Sequence, residues 1–329
     1  MLDRFNGPVT VSDTTLFVAA TAGVATYPEA GNTAQSLLQA ADTALSLAKR
    51  QQRGTLAFYA PHMQQETRAR LVVASELRQA VEDRQFEVHF QPIIDIPSRR
   101  VVKLEALVRW PHQERGMIPP AEFIPLAEES GLIVPLGRWI LQESLRSIAT
   151  LRQCKGCETL VVAVNISSQQ LPAPGFAASI RELLDQYQLP GDALELELTE
   201  RSLIQDRPEV REVLSELGAL GVGLAIDDFG TGYSALNYLR HLPVDLLKID
   251  QEFVRDMGTD DNDALLVQAI ISLAHALRIK VVAEGVETEE QLQFLQDKGC
   301  DFAQGYLIAR PMPFQVLRGF LEGCGTRHG

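Results

Sequence analysis

The sequence predicts a β/α barrel preceded by a small α+β piece. Three observations lead there. Seven apolar runs each carry residues that favour metal ions or phosphate, helix-length segments separate most of them, and 46% of the 329 residues are hydrophobic. Such a chain can hold one large domain and a small one. Short apolar runs alternating with helical segments read as β/α units on a parallel sheet. If that sheet closes, the C-terminal ends of all its strands meet at one face.

Residues 1–60 read as the small piece. LFVAATAGVATYP predicts a strand, followed by a turn about Pro28 and Gly31. AQSLLQAADTALSLAKR predicts a helix with Leu37, Leu38, Ala41, Leu45 and Ala48 on its apolar stripe. TLAFYA predicts a second strand. This is too little chain to bury a core alone. Residues 61–84 read as a connecting helix with Leu71, Ala74, Leu77 and Val81 facing inward.

Residues 85–329 read as the barrel. EVHFQPIID carries Gln91, and VVKLEALVRW carries Glu105 and Arg109. The 14 residues from Gln91 to Glu105, with Pro97 and Ser98 between, leave no room for a crossover helix, so these strands form an antiparallel hairpin. LVVAVNIS then brings Asn165, and LELELTE brings Glu197 and Glu200. VGLAIDDF ends on Asp227 and Asp228, and DLLKID on Lys248 and Asp250. KVVAEGVE supplies Glu284 and Glu287, and FAQGYLI supplies Gln304. Spacings of 32, 30 and 36 residues between Asn165 and Glu197, Glu197 and Asp227, and Lys248 and Glu284 suit intervening helices.

The net charge of −13 argues against non-specific binding to DNA or RNA, which needs clustered cations. A nucleotide substrate stays open, because a metal site reverses the local field. No apolar run reaches membrane-spanning length, and no signal peptide opens the chain. Cys154 and Cys157 form a CxxC without a second pair or a nearby His, which reads as incidental reduced thiols in a cytosolic setting.

The strand ends carry an oxygen-only donor set: Glu105, Asn165, Glu197, Asp227, Asp228 and Glu284. Hard oxygen donors favour Mg²⁺ or Mn²⁺ over zinc or copper. So many like charges cannot share a dry cavity without cations among them. Adjacent aspartates can serve two ions, and two ions about 3.5–4 Å apart are a known device for attack of water on a phosphodiester. Lys248 suits holding the water or neutralising a transition state, and the Arg109 fork suits a phosphate oxygen. Gly230 and Gly232 allow a mobile loop after the paired aspartates. Glu200 cannot share a strand face with Glu197 and could anchor that loop.

FQPIID, EALVRW, VNIS, LELTE, DDFGTGYSAL, LLKID, VVAEGVE and QGYLIARPMP, in this order, resemble the EAL-domain cyclic di-GMP phosphodiesterases over roughly residues 70–320. The resemblance implies a modified triosephosphate-isomerase barrel with an antiparallel first strand. It implies metal ligation by Glu105, Asn165, Glu197, Asp227, Asp228 and Glu284, with one or two Mg²⁺ or Mn²⁺ ions and inhibition by Ca²⁺. Lys248 would hold the water and act as base or its assistant. Glu287 and Gln304 would orient that water or its neighbours. Gln91, Arg109, Asp250 and Gln304 would line the substrate, with Leu107 packed beside it, and Glu200 would hold the loop after Asp228. The implied reaction is hydrolysis of cyclic di-GMP to linear pGpG. A non-catalytic cyclic di-GMP receptor is the alternative, and an unrelated metal-dependent barrel acting on a small carboxylate is a third reading. The implied assembly is a homodimer through the barrel.

TAGVATYPEAG and ADTALSLAKR resemble the last third of a GGDEF diguanylate cyclase domain. The expectation is a fragment of a longer GGDEF–EAL protein, with its signature loop and any sensor upstream. The expected location is cytoplasmic, with any membrane anchor in the upstream segments and no membrane contact by this part.

Overall fold

A computed structural model describes residues 8–11, 14–17, 19–51, 54–200, 208–230, 243–257 and 261–325. Two compact units divide between Gln79 and Ala80.

In the first unit, β1 (Pro8–Val11) pairs antiparallel with β2 (Thr14–Phe17). β3 (Ala22–Val24) pairs parallel with β4 (Leu56–Phe58) across α1 (Ala34–Gln51). The single strand expected over LFVAATAGV is therefore two, β2 and β3, in different sheets. On α1, Ala40, Ala44 and Ala48 are buried and Leu37, Ala41 and Leu45 half-buried, so the expected stripe fails only at Leu38, which is 72% exposed. Close packing explains the choice of small residues: a Cβ on Gly23 of β3 would lie 2.1 Å from the Ala41 carbonyl. α2 (Pro61–Glu82) spans the division. It buries Val73, Leu77 and Ala80 and half-buries Ala74 and Val81, so the expected stripe holds at Leu77 and fails at Leu71, which is 66% exposed.

The second unit is a closed eight-strand barrel. β5 (Glu87–Asp95) and β6 (Val101–His112) form the antiparallel hairpin that the short Gln91–Glu105 spacing demands. β7 (Gly116–Ile118) extends the outer edge of β6. Helices α3 (Pro120–Glu129) and α4 (Ile133–Leu151) lead to β8 (Val161–Asn165), parallel to β6. The chain continues through α5 (Phe176–Tyr187), β9 (Leu194–Thr199), α6 (Pro208–Ala219) and β10 (Gly223–Phe229). Next come β11 (Leu246–Ile249), α7 (Gln251–Asp256), α8 (Asp261–Ala276) and β12 (Lys280–Ala283). Helix α9 (Glu289–Asp297) and β13 (Phe302–Gln304) complete the circuit. β13 pairs antiparallel with β5, closing the barrel. A short β14 (Met312–Pro313) and α10 (Phe314–Gly325) follow.

Period-two alternation stacks the barrel interior in layers. Ile93, Ala225, Leu246, Val282 and Phe302 form one buried apolar cluster. Two residues along each of these strands lie Gln91, Asp227, Lys248, Glu284 and Gln304. Buried Glu195 and half-buried Lys103 form an ion pair in the same relation to Glu197 and Glu105. The apolar plug thus supports the polar layer one step above it.

Candidate active site

Lys248 is the hub of the upper layer. It is 1% exposed, and four carboxylates surround its ammonium. The Nζ lies 2.6 Å from Glu284 Oε1, 3.0 Å from Glu197 Oε2, 3.2 Å from Asp227 Oδ1 and 3.6 Å from Glu105 Oε1. Burial alone would lower the lysine pKa, but the four carboxylates outweigh it and hold the ammonium well above its usual range.

Glu105 is oriented by amides. Gln304 Nε2 donates to its Oε2 at 2.5 Å, and Asn165 Nδ2 to its Oε1 at 2.9 Å. Gln304 also donates to Gln91 Oε1, and Gln91 Nε2 donates to the Ala309 carbonyl. Burial pushes Glu105 up, yet Lys248 and these donors leave it below the ordinary carboxylate range. Glu197 has the opposite balance. Burial and repulsion from Glu105, Asp227 and Glu284 raise it well above that range despite Lys248. Glu197 Oε2 faces the Lys248 ammonium, and its Oε1 is buried without a hydrogen-bond donor. Glu284 is pushed up to about 8 in the same way, with burial the largest cause.

The paired aspartates sit at an irregularity. The β10–β11 register shifts between Ile226 and Phe229, and Asp228 adopts φ 55°. Aspartate tolerates this left-handed backbone better than most side chains. Asp227 Oδ1 accepts from the Asp228 N–H at 3.0 Å, fixing the turn. Burial, Asp227 and Asp250 raise Asp228 to about 6. Asp250 caps α7 by accepting from the Glu252 N–H at 2.7 Å.

Two cavities flank this centre. One, of about 220 Å³, is lined by Gln91, Glu105, Leu107, Asp227, Glu284, Glu287, Gln304 and Tyr306, among others. The other, of about 640 Å³, runs between β6, β8, α3 and α4, and is lined by Leu107, Arg109, Asn165, Ile124, Pro125 and Ile140 with their neighbours. Leu107 faces both. Arg109 donates to the Val108 carbonyl, and burial lowers its pKa from a very high starting value.

Residues 74–311 match the EAL domain, and residues 1–55 match the diguanylate cyclase GGDEF domain. The chain belongs to the EAL domain family. It is 40% identical over 96% of its length to the bifunctional diguanylate cyclase/cyclic di-GMP phosphodiesterase MucR of Pseudomonas aeruginosa, of which it covers 46%. It is 40% identical over 95% of its length to the cyclic di-GMP phosphodiesterase PdeR of Escherichia coli (strain K12), covering 47% of it. The chain spans less than half the length of these relatives. A solved structure of PaMucR phosphodiesterase, a c-di-GMP complex, superposes with a TM-score of 0.71 at 43% identity, over 74% of this chain and 99% of that one. The EAL enzyme Bd1971, with cAMP and cyclic di-GMP bound, gives 0.74 at 31% identity, over 78% and 69%.

In this EAL domain Glu105, Asn165, Glu197, Asp227, Lys248, Glu284 and Gln304 converge directly. Asp228 adjoins them through Asp227, and Glu287 and Leu107 reach the small cavity. Glu200 is buried just after β9. The loop expected to meet it, with Gly232, Tyr233 and Ala235, lies outside the described residues. Sequence reasoning missed Gln251 and Gln291. A capping box at Thr288 and Gln291 was legible in Thr-x-x-Gln before an apolar run.

Among the described residues, no three acidic, histidine or cysteine side chains are disposed to hold a metal ion as they stand. The reason is local: Lys248 fills the point where four carboxylates converge, and Asn165 turns its amide N–H₂ toward Glu105. The donor chemistry nevertheless fits a hard divalent ion. Every donor is oxygen, Glu197 Oε1 is buried without a hydrogen-bond donor, and one ammonium faces an excess of carboxylates.

Proposed function

We propose that this chain hydrolyses cyclic di-GMP to linear pGpG in a divalent-metal-dependent reaction. The observation that carries this is the convergence of Glu105, Glu197, Asp227 and Glu284 on one point at the C-terminal mouth of the barrel. The names of the EAL relatives support the substrate. Glu105, Asn165, Glu197, Asp227, Asp228 and Glu284 would hold one or two Mg²⁺ or Mn²⁺ ions. When bound, such ions supply Lewis-acid charge that activates water and stabilises phosphoryl oxygens. Ca²⁺, larger and more loosely coordinated, inhibits by occupying the same donors.

The chain's own residues position the rest. Gln304 and Gln91 fix Glu105, so its carboxylate does not swing. Lys248, charged in this arrangement, donates toward oxygen and offsets the carboxylate excess. Arg109 offers its fork to a phosphate at the rim of the larger cavity, beside the apolar wall of Leu107, Ile124 and Ile140 where a flat base fits. Glu287 borders the small cavity, in reach of water. Water oxygen loses a proton as it bonds to phosphorus, the phosphorus–O3′ bond breaks, and the leaving O3′ takes up a proton.

Chromatography of products formed with Mg²⁺, with Mn²⁺ and with EDTA tests this reading. Metal-dependent pGpG is expected. Tight nucleotide binding with no product under any condition would favour a receptor instead. In the same reading the upstream region of a longer protein supplies the input, and the barrel pairs as a homodimer; sedimentation of the chain would check the second point.

A further inference from the structure

We propose that Gln291 is a positioning residue for the ion site: its side chain clamps the segment carrying Glu284 and Glu287 onto the short helix that follows Lys248 and Asp250. This rests on reading the carboxylate centre as an ion site.

The amide works in two directions. Its Oε1 accepts from the Glu287 N–H at 2.7 Å and the Thr288 N–H at 3.1 Å. Together with Thr288 Oγ1, which accepts from the Gln291 N–H at 3.2 Å, this makes the capping box of α9. A cap needs only that oxygen. The Nε2 donates instead to the Val254 carbonyl at 3.2 Å and the Arg255 carbonyl at 3.4 Å. These belong to the last turn of α7, whose carbonyls lack intrahelical partners. One side chain therefore ties the start of α9 to the end of α7.

The other end of the same segment is fixed by contact. Gly285 has φ 68°, and a Cβ there would lie 2.6 Å from Gln251 Cβ and 3.2 Å from Gln251 Cα. Glu284 is thus set against the first residue of α7, and Gln291 holds the far side of the segment to its last turn. Val254 is fully buried and anchors the helix. Asp250 caps α7 and contacts Asp228. Glu284 and Asp228 are thus both referenced to this one helix, and Gln291 ties the segment after Glu284 to its last turn.

The substitution Gln291→Glu separates the two directions. A glutamate side chain still accepts at the cap, because glutamate serves a capping box as well as glutamine does, but as a carboxylate it has no hydrogen for the Val254 or Arg255 carbonyl. The test is therefore Gln291→Glu against Thr288→Ala in the full chain. Each variant is measured by Mn²⁺ calorimetry, by thermal unfolding in EDTA and by cyclic di-GMP hydrolysis. Gln291→Glu should lower the unfolding temperature by about 2–4 °C through the lost bonds to the Val254 and Arg255 carbonyls, while Mn²⁺ affinity falls about 10-fold or more, as for other residues that orient ligands. Thr288→Ala should lower the unfolding temperature by about 2–4 °C and leave Mn²⁺ affinity within about 2-fold. Unchanged Mn²⁺ affinity in Gln291→Glu would overturn the role, as would an equal loss in Thr288→Ala. If wild type itself binds no Mn²⁺, the ion-site reading fails and takes this role with it.

Discussion

The two layers inside the barrel come from the same strands and faces, yet obey opposite rules. Below, Ile93, Ala225, Leu246, Val282 and Phe302 are apolar and mutually packed, and the ion pair of Lys103 with Glu195 is balanced one to one. Above, two residues along each strand, one ammonium answers four carboxylates. The lower layer is complete without a ligand. The upper layer carries an excess of carboxylates that protons or metal ions relieve. In the proposed reading, stability and chemistry are therefore separated by one repeat of the β-pleat.

The largest expected effect lies in the upper layer. Glu105→Ala should reduce pGpG release by at least about 10³-fold, because a lost ligand removes several kcal/mol of charge stabilisation. Equal rates in variant and wild type would erase the proposed division of labour. Phe302→Ala, one layer down, should cost about 3–5 kcal/mol of stability in urea unfolding, with Mn²⁺ affinity of the folded fraction held within about 10-fold. A larger loss of affinity at unchanged stability would reverse the assignment of layers.

Titration sharpens the contrast in metal-free protein. Glu284, pushed to about 8, and Glu197 bind protons more tightly folded than unfolded. Their contribution is fully present below the unfolded carboxylate pKa and is lost as pH rises through the folded one. Glu105, shifted down, has the opposite sign and acts only at lower pH. In EDTA the unfolding temperature should fall on the order of 5 °C between pH 5 and pH 8.5, and saturating Mn²⁺ should flatten the slope. A rise in EDTA over that range would contradict the upper-layer electrostatics.

The smallest effect belongs to the balanced pair. Lys103→Met with Glu195→Leu should change stability by no more than about 1 kcal/mol, whereas Glu195→Leu alone should cost about 2 kcal/mol by leaving a half-buried ammonium without its partner. A double variant no better than the single would show that the pair is not self-contained.

Much of this was legible along the chain. Period-two runs gave the strands, their spacing gave the parallel order, and the short Gln91–Glu105 link gave the antiparallel start. The ligand candidates were readable because β/α closure sends every strand end to one face. The edges of the inward faces of α1 and α2 were not: counting large apolar residues favoured Leu38 and Leu71, which are exposed, and passed over Ala40, Ala44 and Val73, which are buried.

Sequence alone determined which residues occupy the barrel mouth, since strand periodicity and connection length are local properties. Tertiary structure decided what those residues do to one another. That Lys248 sits inside four carboxylates, that Glu105 is pulled below and Glu197 pushed above the ordinary range, and that Gln291 bridges two helices all depend on through-space distances. Electrostatic energy and burial follow those distances, and no spacing along the chain encodes them.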